Sequence, residues 1–179
     1  MAELDTLRLR LRPFTLHDHE AHASIYSDPA VMQYMPRGPL TLAAARQASF
    51  AVLRQFMAHW DRHAFGVWAI TEKTTGTLLG QCGLRFLPEL QEVEVLYLLA
   101  RAHWGQGLAS EAAGAALAYG FDQANLERII ALTKPENTAS RRVMEKLGMQ
   151  YEKPLRIFNL EAVYYAITRH AWHRHPIEP

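Results

Sequence analysis

Residues 92–133 constrain the fold more than any other part of the chain. They read as a strand over 92–100, a turn holding Gly105 and Gly107, an alanine-rich helix over 107–122 and a fully apolar strand over 128–133. A strand, a helix and a second, fully buried strand form a parallel crossover, which places this region in a mixed α/β class. Leu108, Ala112, Ala115 and Tyr119 share one helix face, and so many alanines imply close approach to a sheet.

The flanking segments supply antiparallel partners. Residues 6–12 alternate strictly: Leu7, Leu9 and Leu11 point one way and Arg8, Arg10 and Arg12 the other, as in a half-buried strand that Pro13 ends. Asp18 is placed to cap a helix over 19–26, broken by Asp28-Pro29. Thr41 caps a longer helix over 42–60, with Leu42, Ala45, Ala48 or Ser49, Val52 or Leu53, and Phe56 at helical spacing. Segments 65–71 and 77–86, joined by Thr74-Thr75-Gly76, read as a hairpin. Thr138 or Asn137 caps a helix to Leu147 that Gly148 stops, and 149–157 with 162–169 form a last strand pair. The order β-α-α-β-β-β-α-β-α-β-β fits one domain over 1–179, with about seven mostly antiparallel strands and about four helices.

Composition excludes several function classes. Nineteen basic against eighteen acidic residues give a net charge of +1, without a charge run of the kind a nucleic-acid surface needs. The apolar run 112–121 is far short of the roughly 18 residues of a membrane span. The first residues lack the apolar centre of a signal peptide, and the single cysteine, Cys82, permits no internal disulfide. The expectation is a cytoplasmic protein with no nucleic-acid or membrane partner.

Chemistry concentrates in residues 98–111. Two glycines let the backbone turn tightly and approach a ligand, and the free N–H groups of the following helix, with its dipole, suit a phosphate. A plain glycine turn looks the same in sequence. No third glycine stands in frame for a dinucleotide fold, and no Gly-Lys-Ser/Thr marks a nucleotide triphosphate loop.

The run Trp104-Gly105-Gln106-Gly107-Leu108-Ala109-Ser110-Glu111-Ala112 resembles the acetyl-CoA pyrophosphate loop of the GNAT superfamily of N-acetyltransferases. Trp104 replaces the Arg or Gln that usually opens that motif, as in the branch similar to the ribosomal-protein N-acetyltransferases. The opening 7–13 with His17-Asp18, the strand Gly80-Gln81-Cys82-Gly83-Leu84 and residues 137–149 resemble the same branch, in the same order. The resemblance implies a splayed sheet. The pantetheine arm would lie between strands 92–100 and 128–133, near Leu98, Leu99 and Ala100. The pyrophosphate would sit on Gly105, Gln106, Gly107, Leu108, Ala109 and Ser110, and Asn137 would contact the pantetheine or support the thioester end.

It also implies direct acetyl transfer from acetyl-CoA, as acyl-donor co-substrate, to a primary amine: a peptide N-terminus or a small-molecule amine. Glu94, ten residues before Trp104, is the candidate general base, with substrate positioning or plain exposure as alternatives. Family members often place a thiolate-protonating tyrosine where this chain has Met144, so Ser140 becomes the candidate, unless it only caps its helix. Tyr34, Trp60 and Phe65 are candidate walls of the acceptor site, with core packing the alternative for each and more so for Trp68. Cys82 needs no role, because direct transfer uses no protein nucleophile.

His59 with His63, and His170, His173 and His175, do not complete a ligand set at zinc spacing, so no metal is expected. A homodimer is compatible with the resemblance. The competing function is a non-catalytic acyl-CoA-binding sensor on the same fold.

Overall fold

The computed structural model describes residues 1–174. Its elements run β1 (Leu4–Asp5), β2 (Leu9–Pro13), α1 (His19–Ser27), α2 (Pro29–Met32), α3 (Leu42–His63), β3 (Val67–Glu72), β4 (Leu78–Leu87) and β5 (Glu92–Leu99). Then follow α4 (Leu108–Asp122), β6 (Arg128–Thr133), α5 (Thr138–Lys146), β7 (Gln150–Ile157), β8 (Leu160–Thr168) and α6 (Arg169–Arg174). The eight strands form one open sheet in the order β1-β2-β3-β4-β5-β6-β8-β7. Only β5 and β6 are parallel, across the crossover through α4.

Alternation along β5 divides the core between two sheet faces. Val93, Val95, Leu99 and, partly buried, Tyr97 join the larger core with α4 and α5. Leu96 and Leu98 turn to the opposite face, against residues of α1, α2 and α3. The alanines of α4 have the purpose their number suggests. Ala112, Ala113 and Ala116 are fully buried. A Cβ on Gly120 would stand 2.7 Å from Ile129 Cδ1 and 2.8 Å from Leu84 Cδ1, so the helix lies as near the sheet as small residues allow.

Four local expectations are corrected. Leu7 does not join the first strand: it is 89% exposed, because residues 6–8 turn over the start of α4 instead. Asp18 does not cap α1. Its buried carboxylate turns back to Thr15 N–H (2.8 Å) and to Arg12 (2.6 Å). Burial alone would raise that carboxyl, but the Arg12 and Thr15 donors outweigh it and hold it below the usual range. Asp28-Pro29 ends α1 yet also begins α2, with Asp28 Oδ1 accepting Ala30 N–H (2.9 Å) and Pro29 at the first helical position. Finally, α3 continues to His63 rather than stopping near residue 60, and Ala64 closes it at φ 57°. With α2, α6 and the two-residue β1, the described residues form six α-helices and eight strands.

Candidate active site

β5 and β6 are in register at a single pair, Glu94 and Ile130, and then part. The slot between them passes through the sheet. Two cavities of about 390 and 330 Å³ open into it, and they share Tyr34, Met35, Tyr97, Leu98, Asn137 and Ser140. The larger lies on the α4 side and the smaller reaches the α1–α3 side.

The α4 side is built from backbone. Gly105 and Gly107 adopt φ 73° and 77°, conformations that favour glycine. Gly107 offers α4 no side-chain cap, and the first intrahelical bond is Glu111 N–H to Gly107 O (3.0 Å). The N–H groups of Leu108, Ala109 and Ser110 therefore remain to face the cavity, where the helix dipole favours an anion. His103 and Arg142 line the same cavity.

The loop is braced from two directions. Trp104 donates its indole N–H to Leu99 O (2.8 Å), a tie that an Arg or Gln would not reproduce in the same shape. Glu111 receives Thr6 Oγ1 (2.6 Å), Arg8 N–H (2.8 Å) and Arg8 Nε (2.7 Å), and Arg8 also donates to Gln106 O (2.9 Å). Partial burial pushes the Glu111 carboxyl up, but these donors together pull it below its ordinary value. The turn that exposes Leu7 is thus the clamp that holds the loop.

Main-chain alternation decides which strand groups are free. Ala100 gives its N–H to Leu79 O (2.8 Å), so by the ladder pattern Leu98 and Ala100 are spent on β4. Those of Tyr97 and the N–H of Leu99 turn toward the slot, while Leu99 O already accepts the Trp104 indole. Ala100 and Gln106 do not line the cavity, and the Gln106 side chain bonds Ala102 O (3.2 Å) instead. Asn137 lines both cavities while its Oδ1 caps α5 through Ser140 N–H (3.1 Å).

Where the cavities meet, Tyr97 Oη lies 2.9 Å from both Ser140 O and Ser140 Oγ. Burial pushes the Tyr97 hydroxyl above its ordinary range, so it keeps its proton. Sequence reading missed Tyr97: inside an alternating strand nothing marks it but position. Met144 is buried beside it, where the family's tyrosine would stand.

On the far side, Glu94 is 5% exposed and accepts Arg85 Nη2 at 2.7 Å. Burial raises its carboxyl above the usual range, against the lowering effect of the Arg85 charge and hydrogen bond and of Leu132 N–H. Tyr34 lines both cavities.

Trp60 and Phe65 line neither cavity and are core residues, because α3 runs one turn further than expected. Trp60 packs edge-on against Trp68, which is fully buried, and donates to Val67 O (3.2 Å). Phe65 is buried beside His59 and His63. His59 accepts Phe86 N–H (3.0 Å) and lies 2.9 Å from Phe65 O, so backbone occupies both ring nitrogens. Among the described residues no cluster of three or more His, Cys, Asp or Glu could hold a metal; His175 lies outside them. Cys82 is buried in the core.

The model of the acetyltransferase (GNAT) domain matches residues 8–150. The chain belongs to the GNAT family. It is 37% identical to YkkB of Bacillus subtilis over 173 residues, covering 91% of this chain and 94% of that protein. It is 35% identical to p20, an uncharacterized N-acetyltransferase of Bacillus licheniformis, over 157 residues, covering 87% and 86%. A GNAT acetyltransferase structure from Bacillus anthracis superposes with TM-score 0.79 at 31% identity, covering 94% of this chain and 99% of that one. The open, mostly antiparallel sheet with a splayed β5–β6 pair is the fold of this family. Among the described residues no helix is long and apolar enough to cross a membrane.

Proposed function

We propose that this GNAT acetyltransferase moves the acetyl group of acetyl-CoA directly to a primary amine within a ternary complex. One observation carries the reading. A helix N-terminus with unspent N–H groups and a buried carboxylate of raised pKa open on opposite sides of one slot. The pyrophosphate would lie on Leu108, Ala109 and Ser110, with Arg142 adding charge. The main-chain groups of Tyr97 and the N–H of Leu99 would meet the pantetheine amides.

The neutral amine attacks the thioester carbon, the C–S bond breaks, and the amine proton leaves toward Glu94. Glu94 stands three residues from Tyr97, roughly 10 Å along the strand, so a water relays the proton. A raised carboxyl is a better base near neutrality than an ordinary one. The departing thiolate takes a hydrogen bond, and finally a proton from solvent, through Ser140. The one Tyr97 hydrogen can go to Ser140 O or to Ser140 Oγ; when the thiolate forms, donation to Oγ frees the serine hydrogen for sulfur. Met144 at the tyrosine position favours one other reading, an acyl-CoA sensor without turnover.

Calorimetric titration with acetyl-CoA, followed by thiol release with a panel of amines, tests both. Binding with release for at least one amine supports transfer. Binding without release for any amine supports the sensor.

A further inference from the structure

Four polar side chains under the α1–α3 side of the cleft have no part in the steps above. Gln81, 3% exposed on β4, lies with Oε1 2.8 Å from His22 Nε2 and 3.2 Å from Tyr26 Oη. His22 Nδ1 is 2.9 Å from Ser49 Oγ. Burial lowers His22 below the ordinary imidazole range, so the ring is neutral; with Nε2 donating to Gln81 Oε1, Nδ1 takes the single hydrogen of Ser49 Oγ, which also stands 3.1 Å from His19 O. Burial raises the Tyr26 phenol to about 12, so it keeps its proton, and Gln81 Oε1 is its acceptor among the described residues. Two donors on one oxygen fix the carboxamide. Its NH2 group has no hydrogen-bond partner among the described residues, and Gln81 lines the smaller cavity.

Every other member of this network is paired inside the protein, and the Gln81 NH2, which is not among the buried unpaired atoms, opens to the cleft. Gln81 pairs with Leu98, a residue common to both cavities, whereas Glu94 lies four residues from Leu98, roughly 13 Å along the strand. An amine placed over Leu96 and Leu98 has Glu94 on one side, through water, and the Gln81 amide on the other.

We propose that Gln81 is a specificity-determining residue: its NH2 donates to a carbonyl oxygen next to the acceptor amine, so α-amino carbonyl compounds are acetylated in preference to plain alkyl amines and polyamines. This rests on the transfer reaction proposed above. An acceptor without that oxygen covers the donor, displaces the water it would otherwise meet and returns no hydrogen bond, a penalty in specificity.

Thiol release with acetyl-CoA is measured for phenylalanine amide, phenylalanine and phenylethylamine. The two carbonyl compounds should exceed phenylethylamine in kcat/KM by roughly tenfold or more, one hydrogen bond's worth. A better amide points to a peptide end and a better acid to a free amino acid; either supports the proposal. Gln81→Leu should bring the ratio close to one while sparing phenylethylamine and acetyl-CoA affinity. Gln81→Glu should disfavour free phenylalanine most, by setting two carboxylates face to face. Tyr26→Phe, a milder change, should shrink the ratio without unfolding the protein. Equal wild-type rates for all three acceptors, or an equal loss for all three in Gln81→Leu, overturn the proposal. Bound acetyl-CoA with no transfer to any of them overturns the transfer reaction, and the proposal with it.

Discussion

The two sides of the slot are made differently. The α4 side is built mainly on one stretch, residues 97–110, with α5 residues such as Asn137 and Arg142 beside it, and on this account its working groups are main-chain N–H donors. The α1–α3 side gathers side chains from several elements: Tyr26 from α1, Gln81 and Arg85 from β4, Glu94 from β5 and Phe158 from the β7–β8 turn. Backbone geometry needs only the right glycines and a helix start, so it tolerates substitution around it. A side-chain site can be retuned residue by residue. On this account the α4 side is general to any acyl-CoA, and the opposite side carries both the base and the choice of acceptor.

If that division is right, damage should separate cleanly. The largest effect is expected from Glu94→Gln. It should lower kcat by about 10²–10⁴-fold, the usual range for a lost general base, with acetyl-CoA affinity unchanged. Steady-state rates and calorimetry on the same preparation check this. An unchanged rate removes the base role.

Next come Tyr97→Phe and Ser140→Ala. Each should slow turnover about tenfold, but the double variant should be no slower than Ser140→Ala alone, because Tyr97 acts through the serine. A readout independent of any acceptor is the thiol pKa of bound CoA, followed by thiolate absorbance. It should lie below that of free CoA in the wild type and rise in both single variants.

Glu111→Gln should act on the other side only. Loss of the charged acceptor of Thr6 and Arg8 should weaken acetyl-CoA binding a few-fold and lower thermal stability, leaving kcat at saturation close to wild type. The pH dependence follows from direction. The Glu111 carboxyl is lowered in the folded state, so its stabilisation is full above the ordinary carboxyl range and lost as pH falls through the folded value. Glu94 is raised, so its contribution has the opposite sign: complete below the ordinary range and lost as pH rises through the folded value. Thermal melts of the two variants between acid and neutral pH should diverge accordingly. The smallest effect is expected from Arg142→Ala, a two- to threefold loss of acetyl-CoA affinity that salt reduces further.

The same contrast explains what was legible in the sequence. The glycine turn and the cap at Asn137, one of its two candidates, are local signals and appear where the residues point, whereas the buried face of α4 runs through Leu108, Ala112, Ala113, Ala116 and Leu117 and leaves Ala115 and Tyr119 only partly buried. Glu94 is named from the resemblance to the family, and the structure places it on the smaller cavity. Tyr97, Arg85 and Gln81 lie inside strands, where a polar residue reads as ordinary alternation until the neighbouring strand and helix are placed. Trp60 and Phe65 misled for a related reason. Whether an aromatic near a helix end faces a cleft or the core depends on where the helix stops, and the αL closure at Ala64 comes without glycine. Leu7 fits a strand by period, but Thr6 and Arg8 on either side of it bond Glu111, a contact more than one hundred residues away in sequence.

The division between the two sides is tested most directly by titrating acetyl-CoA calorimetrically into the wild type, Gly107→Val and Glu94→Gln. Gly107 has φ 77°, so a β-branched residue there must distort the start of α4. Micromolar binding by the wild type, kept by Glu94→Gln and weakened at least tenfold by Gly107→Val, is the predicted result. No binding by the wild type, or equal weakening in both variants, would contradict the account.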